Sequence, residues 1–187
     1  MPSPSAEVIR PLRRVEYEKL VNLGVFENER VELIDGVILQ MSPINEPHNW
    51  ALQVLTEKFV LAMRGRAWVR IQMSFAAAEY SQPEPDLALT PRDSDRAERP
   101  SEAYLIVEVA DSSVAFDRGK KRKLYARCGM REYWVVNIPK RRVEVYSEPS
   151  GEAYTVTKIY KPGQSIRVGA FDDVVVAVSD VLGEREP

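Results

Sequence analysis

Residues 103–137 read AYLIVEVADSSVAFDRGKKRKLYARCGMREYWVVN. The stretch opens on AYLIVEVA (103–110), an apolar run broken only by Glu108, as expected of a central strand covered on both faces. After a Ser-rich start, residues 112–129 read as a helix with a glycine stop at Gly129. REYWVVNI (131–138) is again a strand, paired through the "PKR" turn with RRVEVYS (141–147). The strand-to-helix step over 103–127 predicts a parallel crossover, and with it a sheet that carries helices on its faces.

Working outward, PEPDLAL (83–89) turns from a polar Pro-rich knot into a short buried strand, about Pro85 to Thr90. AWVRIQMSFA (67–76) alternates and predicts a strand, while HNWALQVLTEKFVLAMRG (48–65) predicts a helix ending at Gly65. RVELIDGVILQM (30–41) is a hairpin about Asp35-Gly36, a two-residue turn signal, and LRRVEYEKLVNLG (12–24) is a short amphipathic helix stopped by Gly24. Residues 91–102 form a charged loop. Downstream, EAYTVTKIY (152–160) is a further strand, and residues 163–182 give short strands and a last turn. The fold class is mixed α+β (α/β): a central mixed sheet flanked by helices, with extra β-hairpins at both ends. One domain over 1–187 is expected, with residues 1–10 loose and the core at about 30–147.

Of the 187 residues, 44% are apolar, enough for a real core, and no apolar run is long enough to cross a membrane. The first residues have no apolar h-region of a secretory signal. A single cysteine, Cys128, rules out a disulfide scaffold and fits a reducing cytoplasm. A single histidine, His48, leaves no His pair for a zinc hydrolase. A bound metal would therefore meet carboxylates, which points to Mg²⁺ or Mn²⁺. The net charge of −2 argues against a basic coat for nucleic acid but not against a local basic surface.

Asp86 stands at the threshold of one apolar strand and Glu108 near the end of the next. Alternation puts Glu108 on the face of Tyr104 and Ile106, opposite Leu105, Val107 and Val109. If the strands are neighbours, two carboxylates meet at one edge of the sheet. Like charges there raise each other's pKa, and a divalent cation removes that penalty. Lys121 lies four residues from both Asp117 and Tyr125, on one helical face, amid Lys120, Arg122, Lys123 and Arg127. Two acids beside a lysine are the minimum set for metal-assisted phosphodiester hydrolysis. Each residue alone has a plainer reading: Asp86 as a turn cap, Lys121 and the basic run 120–123 as a solvated face, His48 as helix-start packing. For Glu108 the plainer reading is a structural ion pair with Lys121 or Arg118, and it is the weaker one, since a buried Glu is rare unless paired.

ELIDGVILQMSP, His48, PEPDLAL, LIVEVADSS, FDRGKKRKLYARCGMREYWVVN and RRVEVY together resemble the bacterial Uma-two restriction-endonuclease family of the PD-(D/E)XK nuclease superfamily, from about Glu32 to Tyr146. The resemblance implies a restriction-endonuclease-like core, a Mg²⁺- or Mn²⁺-dependent endonuclease activity on DNA, and a metal held by Asp86, Glu108 and the Val109 main-chain carbonyl. It makes Lys121 the catalytic lysine. The superfamily carries that lysine two residues after the acid, where this chain has Ala110. Glu32, His48, Gln72 and Tyr125 match further family positions as accessory residues, and Lys120, Arg122 and Lys123 would contact nucleic acid. A homodimer is expected through the late strands, about 142–160, whose edge could pair. The missing strand lysine also keeps open a nuclease fold that binds nucleic acid or a protein without cutting, and an interaction protein whose acids form only a buried salt-bridge cluster.

Overall fold

The apolar run at 105–110 lies in the interior of a six-stranded sheet, with every residue buried. This computed structural model describes residues 10–93 and 98–183. The segment expected to be loose, 1–10, lies outside them except for Arg10, as does the middle of the charged loop at 91–102.

In chain order the elements are α1 (Arg14–Asn22), β1 (Val31–Ile34), β2 (Val37–Gln40), α2 (Glu46–Ala62), β3 (Trp68–Ile71), β4 (Leu87–Thr90) and β5 (Leu105–Ala110). Then come α3 (Val114–Phe116), a π-helical turn (Asp117–Lys121), α4 (Arg122–Arg127), β6 (Glu132–Asn137), β7 (Arg142–Ser150), β8 (Ala153–Tyr160), β9 (Ser165–Val168), β10 (Phe171–Ala177) and α5 (Val178–Leu182). The sheet order is β3-β4-β5-β6-β7-β8. Only β5 and β6 run parallel, joined by the helical crossover that residues 103–127 imply; the other pairs are antiparallel.

Alternation along β5 sorts the core. Leu105, Val107 and Val109 join Trp134 and Val136 on the face covered by α2, α5 and the β9–β10 hairpin. Ile106 and Ala110 face the other way, with Tyr125, Tyr133 and Tyr146, and Glu108 follows their phase. The tyrosine rings pack face to face or tilted, Tyr125–Tyr133 at 5.0 Å and Tyr133–Tyr146 at 5.9 Å between centroids. The β1–β2 hairpin turns at Asp35 (φ 50°) and Gly36 (φ 77°), the conformation an Asp-Gly pair favours. A Cβ on Gly36 would lie 2.3 Å from the Pro11 Cβ, so glycine there also lets the chain before α1 pack on the turn.

Two elements differ from expectation. The strand read over 67–76 stops at Ile71, because Gln72 takes a left-handed φ of 47° and breaks the alternation. The helix read over 112–129 contains the widened turn Asp117–Lys121, a feature that pattern reading does not register. The strands at 142–160 extend the sheet as β7 and β8, and β8 is an outer edge.

Glu144 on β7 is 1% exposed and accepts hydrogen bonds from Asn137 Nδ2 (3.0 Å), Arg142 Nε (2.9 Å) and Tyr146 Oη (2.6 Å). Arg118 Nε, from the π turn, lies 2.8 Å from Oε2, the oxygen that also accepts from Tyr146. Burial pushes its pKa up, but the Tyr146, Arg142 and Asn137 hydrogen bonds and the Arg118 charge outweigh that and hold it below the ordinary glutamate value. A lowered folded pKa gives stability that is present above the unfolded value and is lost as pH falls through the folded one. Glu144→Gln is expected to cost about 1–3 kcal/mol near neutrality and to flatten the loss of stability below pH 4.5. Urea unfolding of both proteins across that range checks it.

Candidate active site

The β4–β5 register pairs Leu87 with Val107, which sets Asp86 opposite Glu108 one residue further along. Directly opposed residues share a face, so both carboxylates leave the sheet on the same side. The next pair along would be Pro85 with Val109. Proline has no N–H, so the ladder cannot continue there and the Val109 carbonyl receives no bond from Pro85. The Val109 N–H, which points the same way, donates to Asp86 Oδ2 at 2.8 Å. This is what the proline before Asp86 does: it ends the pairing and leaves two backbone groups of β5 to the site.

Asp86 is held from three sides. Besides Val109, Gln72 Nε2 donates to Oδ1 at 3.2 Å and His48 Nε2 lies 3.2 Å from the same oxygen. Gln72 reaches it from its left-handed position, where the backbone N–H also donates to the Asp86 carbonyl at 3.0 Å. A non-glycine residue in that region is strained, and such strain gathers at functional sites. His48 stands in the first turn of α2, where its N–H donates to the N-cap side chain of Asn45 at 3.1 Å.

Lys121 lies at the centre of the remaining acids. Its Nζ is 3.0 Å from Glu108 Oε1, 3.2 Å from Glu32 Oε2 and 3.9 Å from Asp117 Oδ1. Tyr125 donates its hydroxyl to the same Glu108 oxygen at 2.9 Å. Glu32, Asp86, Glu108, Asp117 and Lys121 are all less than 8% exposed. Four buried carboxylates surround one ammonium, so negative charge is in excess.

The pKa shifts follow from that excess. Burial pushes Glu108 well above the carboxylate range, and Asp117, Asp86 and Glu32 add to the rise against the pull of Lys121. Burial likewise raises Asp117, against Lys121 and the Ser113 hydroxyl that donates to it at 2.6 Å. For Lys121, burial acts downward, but the charges of Glu108, Glu32, Asp117 and Asp86 prevail and raise it, so it stays an ammonium. For Asp86, burial acts upward but is outweighed by His48, Val109 and Lys121, and the carboxyl lies below its usual value.

A cavity of about 400 Å³ opens on this group, lined among others by Glu32, His48, Asp86, Glu108, Val109 and Lys121. Among the described residues, no three His, Cys, Asp or Glu side chains cluster as a ready-made metal cage. The donor set on offer is two carboxylates and the Val109 carbonyl. All are oxygens set in uncompensated negative charge, which suits a hard divalent cation that keeps several waters. The residues fit such an ion.

Each accessory position named from the sequence falls at this group: Glu32 and Tyr125 beside Lys121 and Glu108, His48 and Gln72 on Asp86. The basic residues do not. Lys120, Arg122 and Lys123 are absent from the described cavity lining, and Arg122 lies over the Tyr146 ring at 5.3 Å. Sequence reasoning did not single out Arg30, Asn45, Asp111 or Phe116, which also line the cavity. Only Asn45 left a signal, an N-cap residue just ahead of Glu46-Pro47.

The family model Uma2, described as "Putative restriction endonuclease", matches residues 14–179. A search of curated proteins finds no match. Among solved structures, the crystal structure of a "putative nuclease belonging to DUF820" from Anabaena variabilis matches 92% of this chain and 98% of its own, with a TM-score of 0.71 and 15% identity. At that identity the likeness is one of fold. No helix among the described residues is long and apolar enough to cross a membrane.

Proposed function

Because the chain belongs to the Uma2 restriction-endonuclease family, we propose that it is a Mg²⁺- or Mn²⁺-dependent endonuclease that hydrolyses DNA phosphodiester bonds. The observation that carries this reading is the opposition of Asp86 and Glu108 across β4–β5, with Lys121 Nζ 3.0 Å from Glu108.

Asp86, Glu108 and the Val109 carbonyl would hold the cation. When bound, it supplies Lewis-acid activation of the phosphate and a lowered pKa for water. The protein's own groups do the rest. Val109 N–H, Gln72 and His48 keep Asp86 ionised and oriented. Tyr125, whose own pKa burial and Glu108 push well up, stays a hydroxyl donor and fixes the Glu108 carboxylate. Lys121 keeps its proton and places positive charge where the phosphoryl oxygens gain negative charge in the transition state. Its stem reaches the site from the helix in place of the strand position held by Ala110.

The test is a cleavage assay on plasmid and on single-stranded circular DNA with Mg²⁺ and Mn²⁺, wild type against Asp86→Ala. Cutting of either substrate by the wild type alone supports the reading. No cutting of either under any metal, or equal cutting by the variant, removes it and leaves a nuclease fold that binds nucleic acid or a protein partner. One nuclease-like domain with its core at about 30–147, a cytoplasmic location and a homodimer belong to the same reading. The open edge at β8 supports the dimer, since an unpaired strand is a pairing surface. Light scattering is expected to return twice the chain mass, and the mass of one chain at high concentration would exclude the dimer.

A further inference from the structure

The segment Met41–Asn45, which joins β2 to α2, forms one lip of the cavity, and residues 111–113 after β5 form another. The two lips are tied together: Asn45, the N-cap of α2, donates from Nδ2 to Asp111 Oδ2. The acids and this strap, anchored at both ends, line one cavity of about 400 Å³. That is near the small end of the roughly 300–1,000 Å³ that encloses one drug-sized molecule.

The walls have their own chemistry. Leu39, Met41, Pro43, Ile44 and Phe116 give an apolar surface next to the acidic floor. Such a wall is of no use to a base pair whose faces are already stacked, but an unpaired base can lie on it. The lining carries little positive charge, its lysines and arginines among the described residues being Arg30 and Lys121, so a strand held here is held more by stacking than by phosphate contacts. Both are engaged, Arg30 3.5 Å from Glu84 and Lys121 with the acids.

We infer that the substrate reaches this site as an unpaired strand, with one nucleotide under the Met41–Asn45 strap and its base against Phe116. The inference rests on the nuclease reading and names the substrate class for it.

Two measurements on the full chain separate the two claims. In Ca²⁺, fluorescence anisotropy compares a labelled single-stranded 12-mer with its blunt duplex. The single strand is expected to bind at least about tenfold more tightly, and Phe116→Ala to weaken single-strand binding by roughly tenfold, the size of one lost stacking contact. Duplex binding should not change, and Phe116→Trp should restore the single-strand affinity. Equal or tighter duplex binding, or a Phe116→Ala loss shared by both substrates, overturns the inference. In Mn²⁺, the same two substrates and a duplex with a short unpaired bubble are assayed for cutting. Cutting at the single strand and the bubble, with the blunt duplex intact, supports the inference, and cutting of the blunt duplex at the single-strand rate overturns it. A single-strand binding preference with no cutting of any substrate removes the nuclease reading and leaves the strand preference standing. Binding to neither removes both.

Discussion

Lys121→Met is expected to destabilise the fold by about 3–5 kcal/mol near pH 7, the usual cost of breaking a buried ion pair by removing one partner. Methionine fills similar volume, so packing contributes little and the loss is electrostatic. Without the ammonium, Glu108, Glu32 and Asp117 face one another with no counter-charge. Glu108 and Asp117 are already raised above the ordinary carboxylate values with the lysine in place, chiefly by burial. Removing it raises them further. An acid raised in the folded state gives stability that is present below its unfolded pKa and is lost as pH rises through the folded one. The penalty of Lys121→Met should therefore be small below about pH 4 and grow toward neutrality, the same direction as the Glu144→Gln penalty but from the opposite cause, acids raised rather than lowered by folding. Urea midpoints across this range decide it, and a penalty that does not vary with pH would mean that the acids do not sense Lys121. Mn²⁺ should also raise the melting temperature of the variant more than that of the wild type, because it restores positive charge at the same place.

On the proposed nuclease reading, in which Asp86 would hold the cation, Asp86→Ala is expected to reduce DNA cleavage by at least about a thousandfold, since loss of such a ligand would forfeit several kcal/mol of transition-state stabilisation and each 1.4 kcal/mol is about tenfold in rate. Glu108→Gln should fall as far for the same reason. The two differ in what else they disturb. Asp86→Ala leaves the Val109 N–H and the His48 and Gln72 donors without their acceptor, at about 1–3 kcal/mol. Glu108→Gln keeps an oxygen for Tyr125 and lightens the crowding of acids, so its stability should change little. Cleavage measured beside thermal melts separates chemistry from folding: Glu108→Gln should be inactive and folded. An active Glu108→Gln would leave the acids as a structural cluster.

Much of the fold was legible because its strongest signals are local. The apolar run at 105–110, broken only by Glu108, reads as a doubly covered strand, and the Asp35-Gly36 pair reads as a turn. The phase of Glu108 followed from alternation alone, and the structure keeps it. The end of β3 was not legible, because Gln72 adopts its left-handed backbone for the sake of Asp86, fourteen residues away in the chain. The π turn was not legible either: Asp117–Lys121 reads as ordinary helix, and its link to the sheet, the Tyr133 hydroxyl donating to the Asp117 carbonyl at 3.1 Å, joins residues 16 apart. The acids could be named as candidates from spacing, but the strap could not. The Asn45–Asp111 bond joins residues 66 apart, and nothing local to either announces the other.

Ala110 shows what it means for the ammonium to arrive from a helix. It is fully enclosed, packed within the cluster that holds Tyr125, Ala126 and Tyr133. A lysine there would have to drive a long stem into space already filled by the tyrosine layer. The ammonium beside Glu108 therefore cannot easily be supplied from position 110 instead of 121. Taking Lys121 away leaves the buried acids without their counter-charge, and adding a lysine at 110 overfills the core, so exchanging the two positions costs stability whichever change is made first. Packing fixes the lysine's place on the helix.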